Sequence, residues 1–177
     1  SAMSVDPTLA TILHAFQCTF PELDIQGGAA EPFYQAPKAD RTATLFFRED
    51  YVRSLLHEMA HYCLAGDRRR ELDDFGFWYH PCGRSAAQQK QFEAAEARPQ
   101  ALERIFCEML DVPFQPSLDD FSGRPISPLF LEKLENAYIK FHQQMPPTAT
   151  RALEGLKTYA VPCLRCSPPD LNRVLTD

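Results

Sequence analysis

The stretch YVRSLLHEMAHYCLA at residues 51–65 combines the apolar spacing of a buried helix with the pattern H-E-x-x-H. His57 and His61 are four residues apart, so on a helix both imidazoles project from one face and can bind one metal ion. Glu58 is placed to act on a water molecule or substrate at an open metal position. Apolar side chains cover most of the remaining helix surface, at Leu55, Leu56, Met59, Ala60 and Cys63. We therefore predict a core helix whose two histidines face a dry cavity.

A catalytic metal site needs a third protein ligand, with further positions left open. The histidine that usually follows this pattern, in G-x-x-H, is absent downstream of His61. A second helix, predicted over 85–98, carries Glu93 and Glu96 three residues apart on a shared face. We choose Glu96 as the ligand, because Gln100 one turn later is placed to hold its carboxylate. Glu93 remains the alternative.

Two segments between these helices carry further candidate side chains. The charge run at 68–74 contains Glu71, Asp73 and Asp74, and such runs are usually solvated or form mutual ion pairs. The aromatic stretch FGFWYH at 75–80 is expected in the core. The alternative is a pocket wall beside the metal, where the rings together with Asp73 or Asp74 would receive an aliphatic ammonium group.

The spacing of the ligands does not determine which metal ion is bound. Taken alone, it favours Zn²⁺ and peptide hydrolysis, with Glu58 as the general base. Two histidines and one carboxylate with open positions are equally the arrangement used for Fe(II) oxygen chemistry. Spacing by itself does not separate a zinc hydrolase from an iron oxygenase.

The rest of the chain predicts a predominantly helical α+β fold with a small sheet. We expect a single domain at 4–160, in which a zincin-like metal-binding helix packs with the second ligand-bearing helix. An extended, proline-containing tail is expected at 161–177. Glycines and prolines predict a loop over 17–40, and strand-forming residues predict a strand over 43–47. Helices are predicted over 7–16, over 51–65, from 128 onward and over 148–159. A further helix is predicted over 85–98, where Pro99 kinks it or starts a new helical segment that continues to 109.

Composition restricts the possible function classes. The 177-residue chain has a net charge of −6, which argues against non-specific binding to nucleic acid. No run approaches the ~18 apolar residues of a membrane span, and no phosphate loop, serine-hydrolase elbow or dinucleotide fingerprint is present. We predict a cytoplasmic monomer that contacts neither membrane nor nucleic acid. Its six cysteines are expected to be thiols, including the C-x-x-C pair Cys163 and Cys166, for which no role is assigned.

Beyond these patterns, the chain resembles a known family. The similarity covers LHEMAHYCLAG at 56–66 and RRELDDFGFWY at 69–79. It continues through the second helix at Gln91-Phe92-Glu93, Glu96, Pro99-Gln100-Ala101-Leu102 and Phe106-Cys107. These segments together resemble the bacterial elongation factor P hydroxylase family.

The resemblance implies a non-haem Fe(II) enzyme that uses molecular oxygen. Its expected protein partner is elongation factor P, whose β-lysylated lysine it would hydroxylate. His57 and His61 match the two histidine ligands of the family, and the carboxylate ligand falls in the Glu93/Glu96 segment, where we choose Glu96. Glu58 then becomes a proton donor or a partner for an ammonium group.

Overall fold

The structure is a computed structural model that describes residues 6–77, 83–118 and 125–166. Within these ranges the helices are α1 (Pro7–Thr19), α2 (Val52–Leu64), α3 (Ala86–Leu110), α4 (Pro128–Gln143), α5 (Pro147–Tyr159) and α6 (Val161–Arg165). The strands are β1 (Leu23–Ala29), β2 (Phe33–Gln35) and β3 (Ala43–Arg48), and two short 3-10 helices span Arg69–Glu71 and Asp73–Gly76. The prediction of a predominantly helical α+β fold is confirmed, whereas the zincin-like arrangement stays a prediction.

Helix α2 lies at the centre of the fold. It packs against β3 on one side and against α3 on the other, and Leu55, Leu56, Met59 and Ala60 are fully buried. The predicted helix over 51–65 is confirmed to within one residue at each end. The helix starts after Tyr51 without a side-chain cap, although Asp50 at its start is a residue type that commonly caps helices. Burial of the apolar face, rather than capping, therefore stabilises α2.

A three-stranded sheet in the order β1-β3-β2 supports this helix. Strand β3 pairs in parallel with β1 and antiparallel with β2. The predicted loop over 17–40 was therefore wrong, because it contains the end of α1 and both outer strands. A Cβ atom at Gly27 would lie 2.6 Å from the Phe47 ring. This glycine therefore marks a close approach within a strand rather than a loop.

Helix α3 continues without interruption through Pro99, where the sequence predicts a kink or a break. A proline inside a helix removes one hydrogen bond, at a cost of about 3 kcal/mol. Packing of α3 against both α2 and α4 offsets this cost. Three polar residues of α3 are buried in this packing, at Glu96, Gln100 and Glu103.

The C-terminal part of the described chain differs from the predicted extended tail. Residues 161–165 form the short helix α6, whose first turn accommodates Pro162. Val161 and Leu164 are three residues apart and pack against the core, which explains why the chain is helical here. Residues 167–177 lie outside the described residues, so the domain boundary stays a prediction. Among the described helices, none combines the length and the apolar character that crossing a membrane requires.

The second 3-10 helix has an unusual backbone. Asp74 and Phe75 have φ values of 49° and 58°, in the left-handed region, and Gly76 follows with a φ of 76°. A left-handed conformation costs a non-glycine residue roughly 1–2 kcal/mol. Contacts with Tyr34 of β2 compensate this strain, and Asp74 and Phe75 form one wall of the candidate site.

A candidate metal centre between two helices

The structure brings together the three side chains that the sequence nominates as ligands. The Nε2 atoms of His57 and His61 are 3.1 Å apart. The Glu96 carboxylate lies 3.1 Å from His61 Nε2 and 3.3 Å from His57 Nε2. Among the described residues, this is the cluster of three or more potential ligands whose atoms converge on one point. Glu93, one turn earlier on α3, does not belong to it.

These separations fit three ligands of one metal ion. Nitrogen and oxygen ligands lie about 2.0–2.2 Å from Zn²⁺, and ions of similar size have similar distances. Two such ligands at angles between octahedral and tetrahedral values are about 3.0–3.4 Å apart. An ion held by this triangle would have its remaining positions on the side away from the three ligands. The donor set therefore fits either Fe(II) or Zn²⁺.

The ligand candidate His57 is oriented by a buried carboxylate. Its Nδ1 atom lies 2.7 Å from Glu103 Oε1. Since a carboxylate only accepts hydrogen bonds, Nδ1 carries the proton and the neutral ring keeps a lone pair on Nε2. The other oxygen of Glu103 accepts a hydrogen bond of 2.7 Å from Arg53 Nε. This arrangement of carboxylate, histidine and cation is common in protein metal sites.

The Glu96 carboxylate is also held by a side chain of its own helix. Gln100 Nε2 donates to Glu96 Oε2 at 3.2 Å, which is the contact that the sequence analysis predicts. Gln100 also donates to the Ser117 carbonyl oxygen and accepts from the Ser117 backbone N–H at 3.0 Å. The Gln100 amide is therefore fixed by the backbone, and it fixes Glu96 in turn.

Sequence reasoning did not find Glu103 or Arg53. Glu103 lies seven residues after Glu96 on α3, and Arg53 lies four residues before His57 on α2. Both spacings place the residue on the same helix face as the ligand candidate. Repeated polar positions at 96, 100 and 103 are the signal that could have identified a buried polar stripe.

The site concentrates negative charge. Among the described residues, the carboxylates of Glu58, Glu96 and Glu103 lie at the site, and the guanidinium of Arg53 pairs with Glu103. Burial lowers the pKa of His57, but the charge of Glu96 and the hydrogen bond to Glu103 outweigh it and raise this pKa well above its usual range. For Glu96 the directions are reversed: burial raises the pKa of its carboxyl group, but His57 and His61 hold this pKa well below its usual range. The cluster therefore favours a cation, and a divalent ion would replace the proton on His57.

A pocket of about 120 Å³ is lined by two of the three ligand candidates, His61 and Glu96. Pockets for drug-sized ligands have about 300–1,000 Å³, so this one admits the end of a single side chain. Its described lining consists of Glu58, His61, Asp74, Phe75, Phe77, Ala95 and Glu96. Burial raises the pKa of Glu58, although His57 and His61 act in the opposite direction.

The sequence analysis expects the charge run at 68–74 to be solvated or to form mutual ion pairs. In the structure, its two aspartates form hydrogen bonds at the edge of the sheet. Strand β2 lies at the edge of the sheet, and its free backbone N–H groups need acceptors. Asp74 Oδ1 accepts from the Tyr34 N–H at 3.0 Å, and Asp73 Oδ1 accepts from the Ala36 N–H at 2.9 Å. Asp73 is exposed as well as hydrogen-bonded, like the exposed Glu71, so the expectation of a solvated run is confirmed for these two residues and wrong for the half-buried Asp74.

The described part of the aromatic stretch divides between the two sequence interpretations: Phe77 lines the pocket but is exposed, so the core prediction is wrong for it. Phe75 is buried and also lines the pocket. Its ring stacks on Tyr34 with centroids 4.1 Å apart and lies nearly parallel to the His61 ring at 6.4 Å. The predictions for residues 78–80 lie outside the described residues. The distant C-x-x-C pair, Cys163 and Cys166, is exposed as free thiols.

Comparisons with known proteins place these features in context. A family model described as elongation factor P hydroxylase matches residues 14–165 of the chain. A curated relative from Haemophilus influenzae, the elongation factor P lysine hydroxylase, is 41% identical over 100 residues. That match covers 55% of this chain and 56% of the relative, so the chain spans about half the length of the curated relative.

Proposed function

The chain belongs to the elongation factor P hydroxylase family, and from this premise we propose that it is an Fe(II)-dependent hydroxylase acting on the modified lysine of elongation factor P. The relative's name supports a lysine of this factor as the substrate. The observation that carries the proposal is the convergence of His57, His61 and Glu96 beside a pocket. The β-lysylated state of the substrate lysine comes from the family resemblance.

The choice of iron rests on the donor set together with the reaction. Two histidines and one carboxylate with open positions are the ligands of non-haem Fe(II) oxygenases. When bound, iron would supply the activation of molecular oxygen at this site. Insertion of one oxygen atom into a C–H bond takes two electrons from an external reductant and two protons, and the second oxygen atom leaves as water. The reductant is a further partner that the reaction requires.

The protein groups around the ligands have separate tasks in this proposal. Glu103 keeps the proton of His57 on Nδ1, so that Nε2 stays available to the metal. Gln100 orients Glu96. Glu58, whose pKa is raised by burial, is suited to hold a proton and to deliver it within the pocket. The buried ring of Phe75 keeps water away from one side of the pocket.

The substrate is a folded protein, so recognition must extend beyond the pocket. The net charge of −6 would favour approach by a cationic segment through electrostatic attraction. We further propose a monomeric, cytoplasmic enzyme that contacts the factor directly and binds neither nucleic acid nor a membrane. These points follow from the sequence predictions above.

The decisive experiment loads the purified protein with Fe(II) under anaerobic conditions. The β-lysylated factor is then added with oxygen and a chemical reductant, and its mass is measured. We expect the gain of one oxygen atom with iron and none with Zn²⁺ in its place. The variant His61→Ala should abolish both the iron binding and the mass gain. Failure of the iron-loaded enzyme to change the mass of the factor would refute the proposal.

A zinc-dependent hydrolase remains the second candidate, and one observation favours it. The carboxylate of Glu58 lines the pocket beside the ligand candidates and has a raised pKa, as a general base requires. The test is peptide hydrolysis by the Zn²⁺-loaded protein, which the variant Glu58→Gln should abolish. Absence of hydrolysis by the Zn²⁺-loaded wild type would eliminate this candidate.

A further inference from the structure

The pocket beside the candidate metal centre has an acidic side that the ligands do not explain. Glu58 and Asp74 both line it, and neither belongs to the metal-binding trio. No lysine or arginine occurs among the described residues of its lining. The pocket therefore presents negative charge to whatever side chain approaches the metal.

The position of Asp74 is tightly defined. Its Oδ1 atom accepts the Tyr34 N–H at 3.0 Å. The backbone carbonyl oxygen of the following residue, Phe75, accepts a hydrogen bond of 2.9 Å from Arg69 Nη1. The Phe75 ring stacks on the ring of Tyr34. These contacts hold the left-handed backbone of Asp74 and Phe75. Among the described residues, the Tyr34 N–H is the one hydrogen-bond donor to the Asp74 carboxylate, and it bonds Oδ1 rather than Oδ2.

The chemistry of the pocket matches a side chain that ends in an ammonium group. A carboxylate that is partly removed from water is stabilised by a hydrogen-bonded cation. Burial raises the pKa of Asp74, although the Tyr34 hydrogen bond acts in the opposite direction. The Phe75 ring offers an apolar surface to the aliphatic part of such a side chain.

We propose that Asp74 is the specificity residue of this pocket and receives the terminal ammonium group of the modified lysine side chain, with Glu58 adding negative charge. This inference rests on the proposed function, since it assumes that the side chain enters beside His61 and Glu96. It goes further in assigning the selection of a charged over a neutral side chain to one carboxylate. Asp73, the preceding residue, has no part in this selection.

The chain offers a matched control for this assignment. Asp73 and Asp74 are adjacent, and each accepts one backbone N–H through Oδ1: Asp74 from Tyr34 in β2, and Asp73 from Ala36 directly after β2. Only Asp74 lines the pocket, whereas Asp73 is exposed. The variants Asp73→Asn and Asp74→Asn each remove one charge and keep an oxygen that can accept the backbone hydrogen bond. Asparagine also tolerates the left-handed backbone of position 74.

The experiment compares two substrates that differ in charge only. One is the factor with its natural modified side chain, and the other carries a hydroxyl group in place of the terminal amine. We expect the iron-loaded wild type to prefer the charged substrate by roughly 10- to 100-fold in kcat/KM, as a charge-assisted hydrogen bond allows. Asp74→Asn should lose most of this preference, mainly through KM, and Asp73→Asn should keep it. Iron content should be equal in all three proteins.

Three results would overturn the inference. They are a wild type that does not distinguish the substrates, an Asp74→Asn variant that keeps the preference, and an Asp73→Asn variant that loses it equally. If Asp74→Asn does not fold, Asp74→Gly replaces it, because glycine adopts this backbone without strain. If the wild type turns over neither substrate, the proposed function fails separately. Equilibrium binding of the two substrates to the metal-loaded proteins then decides the inference by the same comparison.

Discussion

The substitution Glu103→Gln tests whether the carboxylate behind His57 supports metal binding. In the wild type, Glu103 accepts from His57 Nδ1 and from Arg53 Nε, both at 2.7 Å. A glutamine has the same shape but only one accepting oxygen. Either His57 or Arg53 must therefore face an amide N–H of the glutamine. Because residue 103 is buried, with 3% of its surface exposed, the glutamine side chain has no room to turn away.

The size of the effect follows from these contacts. A hydrogen bond to a charged group contributes about 1.5–3 kcal/mol. Arg53 has a side-chain exposure of 35%, so water compensates much of its loss. The His57 contact is less exposed and provides most of the effect, about 2 kcal/mol, which corresponds to roughly 30-fold in metal affinity. This agrees with the roughly 10- to 100-fold effect typical of groups that orient a ligand.

The assay measures metal affinity by competition with a coloured chelator, under anaerobic conditions for Fe(II). The matched control is Glu108→Gln on the same helix, because Glu108 also pairs with an arginine but its side chain is 46% exposed. We expect the control to bind metal as the wild type does and to change stability by less than about 1 kcal/mol. The reasoning is refuted if Glu103→Gln binds metal within twofold of the wild type while remaining folded by circular dichroism.

Three further predictions concern the ligands, the pH dependence and the packing. Glu96→Ala should lose metal, measured by elemental analysis, whereas Glu93→Ala should retain it; equal occupancy would contradict the choice of ligand. Because the pKa of His57 is raised in the folded protein, protonated His57 stabilises the metal-free fold fully at pH values below the usual histidine pKa. This contribution is lost as the pH rises through the raised pKa. Urea unfolding of the metal-free protein should therefore show stability falling toward alkaline pH, and less so in His57→Gln. Metal affinity should instead rise with pH, since the metal ion displaces the proton of His57. A metal affinity that does not change with pH would contradict this prediction. Gly155→Ala should destabilise the fold by about 1–3 kcal/mol, because a Cβ there would overlap a side chain of α1 at 1.8 Å. Gly66→Ala, with open space around it, should be nearly neutral in thermal unfolding.

The local features of this protein were predictable from its sequence. The spacing of His57 and His61 placed both rings on one face of α2, because one helical turn brings residues four apart together. The helices α1, α2 and α4 followed from the apolar periodicity of their sequences. Strand β1 was missed, since its two adjacent glycines are typical of a loop. Only the structure shows that the ring of Phe47 leaves no room for a side chain at Gly27.

The site required the tertiary structure. Whether Glu93 or Glu96 meets the histidines depends on the rotation of α3 against α2, and residues 35 positions apart are joined only by packing. The same packing buries Glu103 behind His57. The roles of Asp73 and Asp74 depend on the free edge of β2, a strand that the sequence analysis did not contain. Helical periodicity is a property of neighbouring residues, whereas the contacts that make the site arise from the way in which separate elements fill one core.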